Sequence, residues 1–460
     1  MQKKLMAILG VAIIAVILVA ALVASGQFGA APSAEARAIK IGVVACSERA
    51  EGNDMNRAAE LAVKEINDAG GVYISSWKTK VPIEIVPVDT KDDSAANSVE
   101  PVKRAILNEG VDLLIGGYAS AGTLANSAVA MENRVPYIIT GASSTLITRR
   151  GPQGNYAGLA ADDPKRTEDS EGMSYLFHYC VTTYEYSKTV LNFLNSTMKP
   201  TLDSTYGFDS SRPLRLAVIY RNDPFGQGVL ADSKAIIAAQ NLPIQIVAER
   251  SYTATATSFQ TDLGVVKEAK PDAVYVVDFI KNTAEIFKEA QQDVDLNTAL
   301  IAVECVDDPA FYKLIGAYGD GMLIESQFGA YTEPIYSSAV QTYYDDFNAM
   351  FGQAPGFMGA STYDAFYIAK DAIERAGTLD KAAVRTAIEN TNLDQLLMMT
   401  QTGKIQFSTG TNYHEVQITT FMEQMAYKTE LSECRNKIIY PTNLKQADFV
   451  LPPGYQPGSP

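Results

Sequence analysis

Side chains able to do chemistry collect just beyond short apolar runs. Leu113-Leu114-Ile115 stops at Gly116-Gly117, and Tyr118, Ala119 and Ser120 follow. Tyr137-Ile138-Ile139 stops at Thr140-Gly141, and Ala142, Ser143 and Ser144 follow. Both turns offer small hydroxyls and backbone N–H groups, neutral donors that suit a carboxylate. A helix opening just after Ser120 would add the positive end of its dipole. Ser120 and Ser144 read equally as ordinary helix N-caps. Further along, Ala273–Val277 ends at Asp278 and Leu300–Val303 ends at Glu304. An acid buried at a strand end needs a cationic partner, although Glu304 alone also reads as a helix-start acid. Neutral donors facing a carboxylate describe a receptor for one zwitterion.

Other chemistries lack their parts. The two histidines, His178 and His414, stand far apart without a partner motif, so neither a catalytic triad nor a His-ligated metal site is expected. Gly116–Thr123 lacks the Gly-Lys-Ser/Thr ending of a phosphate loop. No Gly-x-Gly-x-x-Gly follows the first strand, which weakens a dinucleotide reading. Asp92-Asp93 and Asp307-Asp308 read as solvated loop acids. No pair among Cys46, Cys180, Cys305 and Cys434 has metal-ligand spacing. A Cys180–Cys434 bridge stays open. Cys46 and Cys305 read as small buried residues beyond strand ends. A thiol hydrolase built on either is the rival reading, and it lacks a base. No metal and no cofactor is expected.

The elements that position these residues alternate. Ile39–Ala45 is a strand, Met55–Asp68 a helix, Pro82–Asp89 a strand, Ala95–Asn108 a helix and Val111–Gly117 a strand. After Arg149-Arg150-Gly151-Pro152 the alternation pauses through polar Gly158–Gly172, a crossing to a second domain. It resumes with strands at Leu214–Tyr220, Ile244–Ala248, Ala273–Val277, Leu300–Val303 and Met322–Ser326, separated by helical runs. Helices follow at Ala339–Phe351, Thr362–Ala376 and Lys381–Asn390, then a hairpin from Lys404–Phe407 to Val416–Met425. Two successive βα arrays imply an α/β protein of two Rossmann-like lobes with parallel sheets.

Overall composition fits that class. A chain of 460 residues that is 47% hydrophobic can bury more than one core. A net charge of -15 argues against nucleic acid and against an anionic membrane surface. Lys3 and Lys4 precede an uncharged apolar run, Leu5–Ala24, long enough to span a bilayer. An Ala/Gly/Pro/Ser-rich tether, Gly26–Ala38, comes next. The pattern predicts an extracytoplasmic protein, with the apolar run either an uncleaved anchor or a cleaved signal. Leu451-Pro452-Pro453-Gly454 begins a Pro/Gly-rich tail.

The order and spacing of several segments resemble one family. They are IKIGVVA at the first strand, AAELAVKEINDAGGV, VDLLIGGYAS, VPYIITGASS and NDPFGQG. Together they are similar to the substrate-binding proteins of ABC transporters for branched-chain amino acids, of the type I periplasmic-binding fold. That resemblance implies two lobes joined by a three-strand hinge, with the ligand between them. It implies a first lobe of about 39–161 plus 330–398, a second of 162–329 plus 399–445, and a tail of 446–460. Ser120 and the turn Ala142-Ser143-Ser144 would hold the ligand carboxylate beside Tyr118, and Glu304 its amino group. Phe225 would be the aromatic wall of the second lobe, and Asp278 would occupy an aromatic or acid position. The implied protein is a monomer that captures a small amino acid or related solute and hands it to a membrane permease. A ligand-sensing ectodomain and a binder of amides or urea-like solutes are the alternatives. Cys46–Asn53 lacks the Leu-Thr-Gly that often follows the first strand, and Ser187–Arg215 is unmatched.

Overall fold

The computed structural model describes residues 36–92 and 94–458. The apolar run Leu5–Ala24 and most of the tether lie outside the described residues. Among the described residues no helix is long and apolar enough to cross a membrane.

In chain order the strands are β1 (Ile39–Ala45), β2 (Val72–Ile74), β3 (Thr79–Val81), β4 (Ile83–Asp89), β5 (Leu113–Gly116), β6 (Tyr137–Ile139) and β7 (Leu176–His178). Then come β8 (Leu214–Arg221), β9 (Ile244–Tyr252), β10 (Ala273–Val277), β11 (Ala299–Ala302) and β12 (Leu323–Ser326). β13 (Leu393–Asp394), β14 (Lys404–Ile405), β15 (Phe421–Lys428) and β16 (Glu433–Tyr440) complete the set. The first large sheet runs β4-β1-β5-β6-β7 and is parallel throughout. The second runs β16-β15-β12-β11-β10-β8-β9, parallel from β9 to β12 and antiparallel through β15 and β16. β5 (LLIG) and β10 (AVYVV) are buried at every residue. Both faces of a parallel sheet are covered, so its strands read as unbroken apolar runs rather than alternations.

Helix α1 (Ala50–Asp68) lies on the first sheet, α2 (Ala95–Arg104) follows β4, and α3 (Ser120–Glu132) follows β5. Helix α4 (Thr183–Phe193) packs against α5 (Pro224–Gln240) and against β12 and β15 of the second sheet. The chain goes back to the first sheet with α6 (Phe357–Ala376), which packs on α1, and α7 (Lys381–Glu389), which packs on α6. It then crosses again to β15 and β16. The connection between the sheets is therefore made three times: after β7, after β12 and after α7. The crossings after β7 and α7 hydrogen-bond to each other, with the His178 N–H donating to the His414 carbonyl at 2.8 Å and the Val416 N–H to the His178 carbonyl at 3.2 Å.

β7 falls within the 162–329 segment, yet it hydrogen-bonds to β6 and forms an edge of the first sheet. The Pro/Gly-rich tail docks on the second sheet, where Tyr455 Oη donates to the Asp272 carbonyl at 3.0 Å. The hairpin expected between Lys404–Phe407 and Val416–Met425 forms one unit later, between β15 and β16. β14 pairs instead with β13, and Val416 is spent on the crossing beside His178. α1 begins five residues before the predicted Met55, at Ala50.

Candidate functional site

The first sheet sets its site residues at the carboxyl ends of β5 and β6, next to where strand order reverses, the usual position for a ligand crevice. Gly116 is required there. At φ +121°, a Cβ on it would meet the Val44 carbonyl oxygen at 2.3 Å. The chain can therefore turn tightly and present Tyr118 and Ser120. Ser120 is the first residue of α3, whose cap is Ala119 without a side-chain bond. Its hydroxyl does not cap its own helix. It accepts the Ser144 N–H across the rim at 3.1 Å, which leaves its one O–H to donate elsewhere. The Ala142 carbonyl takes the His178 Nε2–H at 2.6 Å and the Cys180 thiol at 3.3 Å. Both of its lone pairs are thus engaged, and only the N–H side of the Ala142 peptide remains for a ligand. The Ser143 carbonyl accepts the Thr183 N–H at 3.0 Å, which ties this rim to α4. Tyr118, Ser120, Ala142, Ser143 and Ser144 are all buried.

The second sheet supplies Phe225 at the start of α5, Asp278 after β10 and Glu304 after β11. Asp278 is buried but compensated. The Arg221 guanidinium stands 3.9 Å away, Asn282 Nδ2 donates at 2.9 Å and the Phe279 N–H at 2.7 Å. Burial still pushes its carboxyl above the usual range, against the pull of Arg221. Glu304 is fully buried and receives the Gln327 amide at 2.7 Å on Oε1. Burial raises its carboxyl well above the usual range, opposed by the Tyr186 hydroxyl and reinforced by Asp307. No lysine, arginine or histidine pairs with it among the described residues.

The two rims meet. Tyr118 of the first stacks on Phe279 of the second with centroids 5.0 Å apart. Phe279 stacks in turn on Phe225 at 5.6 Å, and Phe225 meets Tyr186 edge-on at 6.4 Å. An aromatic ladder therefore crosses the cleft and ends beside Glu304. Phe279 was not singled out from the sequence. Its signal was an aromatic two places past the strand end, next to Asp278. Beyond the ladder, a cavity of about 310 Å³ opens between the start of α1 and the strand ends of the second sheet. It is lined by Arg49, Glu51, Arg221, Thr255 and Asp278, among others.

Other sequence expectations change. Asp307 and Asp308 are buried, not solvated. Asp307 accepts from Tyr312 Oη at 2.7 Å and from Ser326 Oγ, and Asp308 caps the short helix Pro309–Ile315. All four cysteines are buried, and Cys180 and Cys434 are not bridged. Cys180 comes nearest to a thiol–imidazole pair, since it and His178 share the Ala142 carbonyl. Burial and Glu304 push that thiol far above its ordinary range, which removes its nucleophilicity. Both histidines, distant in sequence, sit at the crossings. His414 lies between the rings of Phe177 and Tyr413, with Nδ1 facing the Leu176 carbonyl and Nε2 facing Glu389.

Two lobes on largely parallel sheets, three crossings and facing polar rims are the architecture of a two-lobed binding protein. The profile of the periplasmic binding protein family matches residues 38–424, and the chain belongs to that family, the extracytoplasmic solute-binding proteins of ABC transporters. It is 23% identical over 387 residues to the Leu/Ile/Val-binding protein homolog 7 of Brucella abortus, covering 82% of this chain and 86% of that one. Among solved structures it resembles LivJ, the branched-chain amino acid transporter substrate-binding protein of Streptococcus pneumoniae, crystallised with isoleucine. The TM-score is 0.67 at 19% identity, over 88% of this chain and all (100%) of that one. It also resembles a solute-binding protein of Rhodopseudomonas palustris in complex with 3,4-dihydroxybenzoic acid, with a TM-score of 0.68 at 18% identity, over 91% and 99% of the two chains.

Proposed function

We propose that this protein captures a small amino acid in the cleft between its lobes and delivers it to an ABC permease. The reading rests on Glu304, a buried acid with no cationic partner among the described residues, and on Ser120, whose O–H is not engaged by its own rim; the two rims touch through Tyr118 and Phe279. A zwitterion satisfies both ends. Its carboxylate meets Ser120, Ser143, Ser144 and the Ala142 N–H, and its ammonium meets Glu304. Tyr118, Phe225 and Phe279 would wall its side chain, and Asp278 would orient Arg221 at the cleft mouth. The site residues are buried, so the solute enters through hinge opening and is held by closure, a motion the three crossings permit. We place the protein outside the cytoplasm as a monomer, with Leu5–Ala24 as an uncleaved anchor or a cleaved signal.

A thermal-shift screen over amino acids, amides and benzoates tests this reading. An amino acid at about 100 times its Kd stabilises the folded state by about 2.7 kcal/mol. A screen in which benzoate or 3,4-dihydroxybenzoate shifts the melting midpoint, and no amino acid does, refutes it.

A further inference from the structure

Three adjacent parallel strands of the second sheet each carry an acid at the carboxyl end: Asp278 after β10, Glu304 after β11 and Glu325 within β12. They differ in what neutralises them. Asp278 has Arg221. Glu304 and Glu325 are fully buried, and neither forms an ion pair among the described residues. Oε2 of Glu304 and both oxygens of Glu325 lack a hydrogen-bond partner of good geometry. The Thr420 hydroxyl lies beside Glu325 and is also bonded to Thr189. The Tyr275 hydroxyl and the Gln327 amide oxygen are also buried without a partner. Tyr275 lies close enough to feel both acids, and Gln327 is bonded to Glu304. Buried polar atoms without partners are rare in a folded core, and here they gather from three neighbouring strands. Four of the five are acceptor oxygens.

We propose that Glu325 is a second acidic determinant of the solute site, and that Glu304 and Glu325 together receive a cationic nitrogen of the solute. This rests on the amino-acid reading above and adds to it a residue and a charge requirement. An ammonium brings three N–H donors and one positive charge to a cluster of unpartnered acceptors. The charged and titratable groups facing the pair are Tyr186 and Glu185 on α4, Tyr275 on β10, Cys180 beside the first crossing, and Cys305 and Asp307 after β11. None is basic. Both acids therefore hold protons in the solute-free protein, and the ammonium displaces one proton to the buffer. Burial, which pushes both carboxyls well above their usual range, supports the same direction.

The test is calorimetric titration of the whole protein with L-isoleucine and L-leucine at pH 7, in phosphate and in Tris. Wild type is expected to release a proton on binding, read as a buffer-dependent enthalpy. Glu325→Gln is expected to weaken both amino acids at least tenfold and to reduce that release. Unchanged affinity and unchanged release in E325Q overturn the pair while leaving the amino-acid reading intact. If wild type binds benzoate and neither amino acid, that reading fails, and the melting midpoint of the empty protein decides the pair by itself. At pH 8, E325Q removes an acid that must hold its proton in the fold and gives it up on unfolding, and should melt several degrees above wild type. An unchanged or lowered midpoint overturns the proposal.

Discussion

Replacing Ser120 by Ala removes one oxygen that does two jobs, and the two can be measured separately. The hydroxyl accepts the Ser144 N–H at 3.1 Å in a buried position. Without it that N–H is left unsatisfied, which costs about 1–3 kcal/mol of folding stability whatever the solute. In the proposed site the Ser120 O–H is the donor left for the solute carboxylate. A hydrogen bond to a charged group is worth about 1.5–3 kcal/mol, so S120A should raise Kd roughly 10- to 150-fold. Urea denaturation of the empty protein reads the first effect, and calorimetry with the best-bound amino acid reads the second. If S120A folds and its Kd stays within about twofold of wild type, Ser120 does not touch the solute, and the carboxylate end of the cleft has been assigned wrongly.

Phe279→Ala removes the middle ring between Tyr118 and Phe225. Each aromatic pair contributes about 0.5–1.5 kcal/mol beyond its buried area, so F279A should loosen closure and bind solute more weakly, with a larger radius of gyration in solution scattering. Glu51 is pushed up to about 7 by burial and by nearby Asp308. Its folded form prefers the proton, so its stabilisation is complete at acid pH and is lost as pH rises from about 4.5 to about 7. Glu51→Gln should thus gain roughly 3 kcal/mol relative to wild type at pH 8 and almost nothing at pH 4, by urea denaturation. Glu415 pairs with Arg149 and accepts Thr148 Oγ1 at 3.1 Å beside the first crossing. Glu415→Ala leaves that arginine unpaired and should cost about 3–5 kcal/mol of folding stability. The four thiols should resist a disulfide-exchange reagent in the native protein and react fully after unfolding, with no mobility change on adding reductant.

The strand ends were legible because parallel strands are buried on both faces. VDLLIGG and AVYVVD therefore announce themselves as apolar runs stopped by Gly or an acid. Partnerships across the sheets were not legible. Asp307 and Asp308 looked like loop acids until Tyr312, Ser326 and the N-terminus of Pro309–Ile315 came to meet them. Glu325 was hidden inside LIES, where an acid in a short strand suggests an exposed face. Only the packing of α4 over β12 buries it. The β15–β16 hairpin was misplaced because the polar turn before Val416 resembles a hairpin turn, whereas Val416 bonds to His178 across the crossing.

The ambiguity at Ser120 illustrates what decides such cases. A serine opening a helix after a strand is more often a cap than a ligand donor, and the sequence cannot separate the two. The separation comes from which N–H the hydroxyl accepts. A capping serine accepts from its own helix two or three residues on. Ser120 instead accepts from Ser144 on the neighbouring strand end, and Ala119 holds the cap position without a side-chain bond. The hydroxyl therefore links the two turns into one rim and keeps its proton for a group outside it. On the facing rim Glu304 is buried without a cationic partner among the described residues. Each residue alone has an ordinary structural explanation. An unengaged donor on one rim and an acid on the other, with the rims joined by one aromatic ladder, are both satisfied by the proposed solute that carries both charges.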